Sequence, residues 1–327
     1  MMAPALLAIV AGLALLTWAA DRFVDGAAAT AQYARVPPLL IGMVIVGFGT
    51  SAPEMVVSTM AALDGAPELA LGNALGSNIV NIGLILGVTA LITPLAVHSG
   101  IIRRELPLLM AAGALSGVLF LDNALTRGES MLLLAGLLLL VGWTVRAGLK
   151  HREDSLASEM DQELSAHPMS LRHALFWLVT GLVLLIVGSR ILVWGAVTVA
   201  QSLGIGDLFI GLTIVAIGTS LPELAASLSA ARKGEHDIAI GNVVGSCMFN
   251  LLAVAGIAGV IAPIEAMSPE ILTRDWSTMM AMIAALFVFA YGFRGEGRIT
   301  RPEGFSMVLA YVVYTGYLVY GLGVTTA

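Results

Sequence analysis

Two 40-residue stretches of this chain repeat each other 169 positions apart. Aligned without a gap, residues 42–81 and 211–250 are identical at 18 of 40 positions. Each stretch carries one glutamate, Glu54 or Glu223, inside an otherwise apolar segment. A charge at membrane depth is energetically costly, so it indicates a functional site. The duplication predicts one site that is built from two halves.

The composition indicates a membrane protein. Of the 327 residues, 58% are hydrophobic and only 12% are charged, which excludes an ordinary soluble globular domain. The apolar stretches are long enough to cross about 30 Å of hydrocarbon. We predict an all-α integral membrane protein whose first helix is retained rather than cleaved as a leader. Its ten transmembrane helices have approximate cores at 3–30, 37–63, 69–93, 104–122, 129–148, 172–202, 207–231, 238–262, 276–293 and 304–323.

The cations between these spans predict the orientation. Twelve Lys and Arg residues fall on one side of the predicted membrane and two, Arg127 and Arg274, on the other. The positive-inside rule then places both termini outside the cell (inner) membrane and the loop 149–170 in the cytoplasm. The outside is the periplasm if the host is a Gram-negative bacterium, and the extracellular space otherwise. The twelve are Arg35, Arg103, Arg104, Arg146, Lys150, Arg152, Arg172, Arg232, Lys233, Arg294, Arg298 and Arg301.

The polar loop divides the chain into two halves. We predict a first repeat at 1–148 with helices 1–5, a cytoplasmic linker at 149–170, and a second repeat at 171–327 with helices 6–10. Because five is odd, the second half enters the membrane from the opposite side, and the repeats are inverted. Inverted repeats are typical of secondary transporters, whose substrate site lies at the midplane where the repeats meet.

The second and seventh spans are predicted to be broken helices. Thr50 and Glu54 share a helix face. Pro53 between them cannot donate to the carbonyl of Gly49, so we expect main-chain oxygens to turn toward a cavity there. Ser51 adds a hydroxyl. The seventh span repeats the pattern with Gly218, Thr219, Ser220, Pro222 and Glu223.

The third and eighth spans each carry a polar stripe at i, i+4 and i+8. Such a spacing puts the three side chains on one face of a helix. Glycines in the same segments make small-xxx-small patterns that permit close helix contact. The stripes are Asn73, Ser77 and Asn81, and Asn242, Ser246 and Asn250; the glycines are Gly72, Gly76, Gly241 and Gly245.

The donor set of these segments indicates a hard cation. It offers carboxylates, hydroxyls, amide oxygens and freed carbonyls, while the single cysteine, Cys247, lies off the stripe and is expected to be a small buried hydrophobe. All-oxygen sites suit Ca²⁺ or Na⁺, and one divalent cation neutralises two ionised glutamates. Ligand chemistry alone does not separate calcium from manganese. No nucleophile–base pair or HExxH motif is present, so we expect no enzymatic activity and no resident cofactor.

Four further charged residues lie in the first and sixth spans. For these residues we predict structural pairing or placement at the membrane interface. They are Asp21, Arg22, Asp25 and Arg190.

The doubled motifs GTS-x-PE and GN-x-x-GS-x-x-x-N resemble the two repeats of the calcium/cation antiporter superfamily, and most closely its prokaryotic sodium/calcium exchangers. The resemblance covers essentially the whole chain. It implies four core helices around the ions and a long mobile pair, the first and sixth, that slides across them. The implied calcium ligands are Glu54 and Glu223 with the carbonyls of Thr50 and Thr219; the implied sodium ligands are Ser51, Ser77, Ser220 and Ser246. Asn81 matches a site asparagine, whereas Asn250 departs from the aspartate of some archaeal members.

Sodium-driven calcium export across the membrane is therefore the leading functional hypothesis. Proton-coupled or potassium-dependent exchange of calcium by the same glutamates remains an alternative, and a passive cation channel is a rival from another class. The expected partners are the lipid bilayer and the ions Ca²⁺ and Na⁺, without nucleic acid or an obligate protein partner.

Overall fold

The computed structural model describes residues 2–34, 40–97, 102–150, 169–202, 216–291 and 297–325. Most of the predicted linker and the first part of the predicted seventh span, residues 207–215, lie outside these ranges. The helices of the first half are α1 (Met2–Ala34), α2 (Ile41–Thr50), α3 (Ala52–Leu63), α4 (Pro67–Ile92), α5 (Ile102–Leu119) and α6 (Arg127–Lys150).

The second half repeats this order of elements. Its helices are α7 (Leu171–Ser202), α8 (Ala216–Thr219), α9 (Leu221–Arg232), α10 (His236–Ile261), α11 (Ile271–Trp276, continuing as Ser277–Tyr291) and α12 (Arg301–Thr325).

Each predicted span overlaps a helix or a pair of consecutive helices. Within the described residues, six helices are long and apolar enough to cross a bilayer, and the bent pair α2–α3 makes a possible seventh. The chain is therefore a helical membrane protein, while the count of ten spans and the inverted symmetry stay predictions.

The predicted helix break lies at Ser51. The axes of α2 and α3 differ by 45°, and Ser51 leaves helical geometry with φ −78° and ψ 2°. Pro53 follows at the start of α3, where a missing N–H costs nothing because the first turn has no partner for it. Ser220 takes the same conformation, φ −91° and ψ 8°, between α8 and α9. The matched prolines therefore start a new helix in each repeat.

The two halves interlock through the four helical segments that carry the repeated motifs. α2 packs against α10, and α9 packs against the middle of α4. A glycine permits the first contact, as its spacing predicted, because a Cβ added at Gly245 would lie 2.2 Å from the carbonyl oxygen of Met43. The buried centre of the molecule is thus shared between the repeats.

One feature of the core segments was not predicted from the sequence. α4 and α10 both contain π-helical turns, Val80–Leu86 and Asn250–Val254, which begin within one residue of matched positions. Such bulges occur often at functional sites, because the extra residue per turn reorients side chains. Here they bring Asn81 and Asn250 to the start of each wide turn.

A short ladder of strands departs from the all-α prediction. β1 (Leu95–Val97) pairs antiparallel with β2 (Gly297–Ile299), joining the ends of α4 and α11–α12. An isolated bridge between Leu125 and Ile264 makes a second link between the halves. Both links lie in connections between helices and leave the helical core unchanged.

Candidate ion site

Glu54 and Glu223 lie together in the core, joined by reciprocal hydrogen bonds between the repeats. Ser51 Oγ donates to Glu223 Oε1 at 3.2 Å, and Ser220 Oγ donates to Glu54 Oε1 at 3.2 Å. Each glutamate is only 1% exposed. The serine of one half therefore supports the carboxylate of the other, as a two-fold related site requires.

The helix breaks explain this placement. Ser51 and Ser220 precede the first turn of α3 and α9, and Glu54 and Glu223 lie within that turn. The N-terminus of a helix carries a partial positive charge from its unpaired N–H groups. Two such termini therefore face the two carboxylates and offset part of the repulsion between them.

Four buried side-chain oxygens in this region have no hydrogen-bond partner among the described residues. They form two matched pairs. One pair is the glutamate oxygens that do not accept from serine, and the other is the side-chain oxygens of the last asparagine in each polar stripe. All four atoms can only accept hydrogen bonds, and no N–H or O–H of the described residues reaches them. A bound cation would satisfy all four. They are Glu54 Oε2, Glu223 Oε2, Asn81 Oδ1 and Asn250 Oδ1.

A hydroxyl and amide network surrounds the Glu223 side of the site. Thr50 Oγ1 donates to Asn242 Oδ1 at 3.0 Å and lies 3.5 Å from Ser246 Oγ. Ser246 Oγ donates to the Gly47 carbonyl oxygen at 3.3 Å, which is one of the main-chain oxygens near the break in the helix. Thr50 and Ser246 also lie close enough to interact with the Glu223 carboxylate.

The two stripe asparagines nearest the helix starts contact serines of the adjacent helix. Asn242 Nδ2 donates to Ser227 Oγ at 2.8 Å and to the main-chain oxygen of Glu223 at 3.1 Å. Asn73 Nδ2 donates to Ser58 Oγ at 3.0 Å. The described contacts bring Asn242 to the edge of the site. They do not link Asn73 to either glutamate, so its part in ion binding stays a prediction.

Thr219 and Ser77 complete the predicted set. Thr219 is half-buried and interacts with the Glu54 carboxylate. Ser77 is buried on α4, one turn before Asn81. The described contacts do not bring Ser77 to either glutamate, so its part in ion binding stays a prediction.

Asn78 is a site residue that the sequence reasoning missed. It is fully buried, its Oδ1 accepts from Asn250 Nδ2 at 3.2 Å, and its Nδ2 donates to the Cys247 carbonyl oxygen at 3.1 Å. This contact leaves Oδ1 as the free end of the Asn250 amide. Asn78 lies one residue off the polar stripe, and the only sequence signal for it was a third asparagine in GNALGSNIVN.

The position that matches Asn78 in the second repeat is Cys247. The Asn81 side chain interacts with this thiol, which mirrors the contact of Asn250 with Asn78. Cys247 is fully buried, as predicted for a small apolar residue. It also lies at the site, because each of the two positions touches the site asparagine of the opposite repeat.

The arrangement suits one or more hard cations. It brings together two carboxylates, two amide oxygens and several hydroxyls, and the described residues contain no cluster of three or more His, Cys, Asp and Glu side chains. Oxygen ligands of this kind select Ca²⁺ and Na⁺ over softer transition metals. Two ionised carboxylates in a buried site need positive charge beside them, which a bound cation would supply.

Comparisons with known proteins agree with this chemistry. A family model described as sodium/calcium exchanger protein matches residues 4–146 and 173–320. The putative antiporter CaxA of Alkalimonas amylolytica is 46% identical over 308 residues, which are 94% of this chain and 96% of that protein. The inner membrane protein YrbG of Escherichia coli (strain K12) is 41% identical over 313 residues, 95% of each chain.

A solved structure shares the fold. The sodium-calcium exchanger NCX_Mj, soaked with Na⁺ and Sr²⁺, superposes with a TM-score of 0.84 at 29% sequence identity, covering 97% of this chain and 99% of that one. The match extends over both halves, so it confirms the resemblance that the doubled motifs carried. Its family consists of transporters rather than enzymes. This chain belongs to the sodium/calcium exchanger family of calcium/cation antiporters and is a multi-pass membrane protein that exchanges cations.

Proposed function

We propose that this protein exchanges Ca²⁺ for Na⁺ at a midplane site formed by Glu54 and Glu223. The observation that carries the proposal is the set of four buried oxygens without a donor, two from the glutamates and two from Asn81 and Asn250. They come in matched pairs from the two repeats, and the two glutamates among them also take part in the reciprocal serine–glutamate contacts.

The exchange follows from charge balance. Two ionised glutamates are neutralised by one Ca²⁺ or by at least two Na⁺, so both kinds of loaded site are nearly neutral. A site without ions keeps two like charges in a low-dielectric core, which raises the free energy of a closed state. Only loaded sites would therefore cross between the two faces of the membrane, which makes transport an exchange rather than a leak.

Each site residue has a proposed role. Glu54 and Glu223 bind Ca²⁺ with the main-chain oxygens of Thr50 and Thr219, and they are shared with Na⁺. Asn81 and Asn250 supply neutral oxygens at the same centre. The remaining hydroxyls and amides bind Na⁺ or orient the ligands; they are Ser51, Ser77, Ser220, Ser246, Asn73 and Asn242.

The proposed frame is ten helices in two inverted repeats, 1–148 and 171–327, with the linker 149–170 in the cytoplasm. Both termini then lie outside the inner membrane. The similarity to NCX_Mj, which is named as a sodium-calcium exchanger, supports this arrangement, as does the positive-inside distribution of Lys and Arg.

The test is calcium flux into sealed vesicles that contain the purified protein. An imposed sodium gradient should drive calcium uptake, and Glu54→Gln or Glu223→Gln should reduce it by at least about tenfold, because each change removes a charged ligand worth at least about 1.4 kcal/mol. Glu68→Gln is the matched control, since Glu68 is exposed at the start of α4. Flux at the wild-type level in both site variants would contradict the proposal.

The same vesicles separate the alternatives. A pH gradient that drives calcium without sodium would replace sodium coupling by proton coupling at the same carboxylates. Dependence on potassium would indicate potassium co-transport. Downhill calcium flux that needs no counter-ion would indicate a channel.

A further inference from the structure

A polar cluster fastens α1 to the second repeat at one end of the molecule. Lys233 Nζ lies 2.6 Å from Asp25 Oδ1 and donates to the main-chain oxygen of Asp21 at 2.7 Å. Ser229 Oγ donates to Asp21 Oδ1 at 2.6 Å. We call Asp21, Asp25, Ser229 and Lys233 the Lys233 cluster. It joins the long helix α1 to α9 and the turn after it.

The 169-residue spacing relates this cluster to oppositely charged residues elsewhere. Asp21 matches Arg190 on α7, and Lys233 matches Asp64 in the turn after α3. The spacing is secure in α1 and α7, because VDGAAATAQ at 24–32 and VWGAVTVAQ at 193–201 are identical at five of nine positions. Each repeat thus carries opposite charges at these two positions, with the signs exchanged, while the carboxylate that pairs with Lys233 is that of Asp25.

The pair α1–α7 is itself symmetric. A Cβ added at Gly12 would lie 2.7 Å from the Leu192 backbone, and one at Gly181 would lie 2.8 Å from the Phe23 backbone. These two contacts are equivalent under the 169-residue spacing. The helices run antiparallel, so each presents the same surface to the other.

The packing of this pair on the core is not symmetric. α1 packs along α9, whereas in the described part of the chain α7 has no comparable packing against α3, the matched helix. Ser189 of α7 instead donates to the Gly218 carbonyl oxygen at 2.6 Å. Two halves that are similar in sequence but pack differently indicate one of two equivalent conformations, the second being reached by exchanging the roles of the repeats.

Arg190 and Asp64 are placed to act in that second conformation. Both are exposed, and neither forms an ion pair within the described residues. Arg190 lies near the level of Gly12 on α1, because Leu192 packs there. Gly12 and Asp25 are 13 residues apart on α1, which is about 20 Å along the helix axis at 1.5 Å per residue. The two charge pairs therefore belong to opposite ends of α1–α7.

We propose that Arg190 and Asp64 form an ion pair in the opposite conformation, when the Lys233 cluster opens and α7 packs against α3. The proposal rests on the alternating access of the proposed function. Trp194 occupies the position that matches Asp25, so Arg190 alone provides the charge at that end. A partly exposed ion pair changes a population by up to about fivefold, which biases the two conformations without trapping either.

Cross-linking tests this pairing. Arg190→Cys and Asp64→Cys are introduced together, and a protease site is inserted within 151–168. A short bis-thiosulfonate reagent then cross-links the two cysteines only if they lie close together. After cleavage, the two halves of the chain stay joined only if that cross-link has formed. Cys247 is retained, because it is fully buried. We expect cross-linking, and we expect its yield to rise several-fold when Lys233→Ala is added. The matched control for that change is Arg232→Ala, since the neighbouring Arg232 is exposed and forms no ion pair in the described residues.

Asp64→Cys with Phe176→Cys gives the background, because Phe176 lies on the same helix 14 residues from Arg190, about 21 Å along its axis. A yield no higher than this background, or a yield that Lys233→Ala leaves unchanged, would overturn the pairing. A charge exchange, Arg190→Asp with Asp64→Arg, should recover an exchange rate that each single change reduces several-fold; no recovery would count against it. Cross-linking does not depend on which ion is carried, so it separates failure of this pairing from failure of sodium–calcium exchange.

Discussion

Replacing Asn78 with leucine tests whether the Asn250 amide is held in one orientation for ion binding. The side-chain oxygen of Asn78 can only accept, so Asn250 must offer Nδ2 to it and keep Oδ1 free. Leucine has a similar volume but no acceptor. In Asn78→Leu the Asn250 amide should therefore turn between two orientations, of which only one presents oxygen to the ion.

The size of the effect follows from the contacts that are lost. One neutral hydrogen bond contributes about 1 kcal/mol. Without it the Asn250 amide no longer favours the orientation that presents oxygen to the ion, so calcium binding should weaken by about fivefold. The variant also removes one of the two donors to the Cys247 carbonyl oxygen, which keeps the Asn250 main-chain N–H, and leaves the Asn250 Nδ2 group unpaired in a buried region. Those two groups should lower the free energy of unfolding by about 2 kcal/mol.

Calorimetric titration of the purified protein with calcium, together with thermal unfolding, measures both effects. Thr89→Val is the matched control, since Thr89 is buried on the same helix and its hydroxyl donates to the Ile85 carbonyl oxygen at 2.7 Å, three turns beyond Asn78. It should lose stability without losing calcium affinity. Asn78→Cys, which copies the matched residue of the second repeat, should fall between wild type and Asn78→Leu. Calcium binding at the wild-type level in Asn78→Leu, with stability lost as in the control, would refute the reasoning.

Two further predictions concern symmetry and packing. Ser51→Ala and Ser220→Ala each remove a hydroxyl donor that lies 3.2 Å from the glutamate of the other repeat. Each change should weaken calcium binding in titrations by on the order of tenfold, as expected for a hydrogen bond to a charged group. A strong effect of only one of the two changes would contradict the reciprocal site. Gly245→Ala places a Cβ 2.2 Å from the Met43 carbonyl oxygen and should cost about 1–3 kcal/mol of stability. Gly76→Ala at the matched position, where nothing among the described residues lies within 4 Å, should leave the unfolding temperature nearly unchanged, and equal losses in the two variants would contradict the packing.

Much of the site could be predicted because its chemistry is local in the sequence. Proline and serine before each glutamate set the helix break, so the position of Glu54 and Glu223 at a helix start follows from a few neighbouring residues. The duplication then predicts that the two glutamates meet. Neither step requires knowledge of how distant helices pack.

The contacts that depend on packing could not be predicted. Asn78 reaches Asn250 and Cys247 only because α4 meets α10 along one particular face, and no local pattern specifies which face of an apolar helix meets another. The π-helical turns that begin at Val80 and Asn250 likewise follow from no local pattern. For Asn73 the stripe position predicts the site, and the structure shows its amide donating to Ser58, so its part in ion binding stays a prediction.

The difference between the two halves was also beyond the sequence. Matched residues such as Gly76 and Gly245 predict identical packing in the two repeats. The structure nevertheless packs α1 on α9, while α7 lacks the matching contact with α3 in the described residues. A sequence with two similar repeats specifies two equivalent arrangements, and a single structure contains one of them. Only the three-dimensional contacts identify which one.

The central claim is that Glu54 and Glu223 bind one metal ion together. Its most direct test is a crystal structure with Sr²⁺ in place of calcium, in which anomalous scattering locates the metal. The account predicts one peak within about 2.6 Å of an oxygen of each glutamate, with Asn81 or Asn250 as a further ligand, since calcium-like ions bind oxygen at about 2.3–2.6 Å. A peak beside only one glutamate, or no peak between them at saturating Sr²⁺, would contradict it.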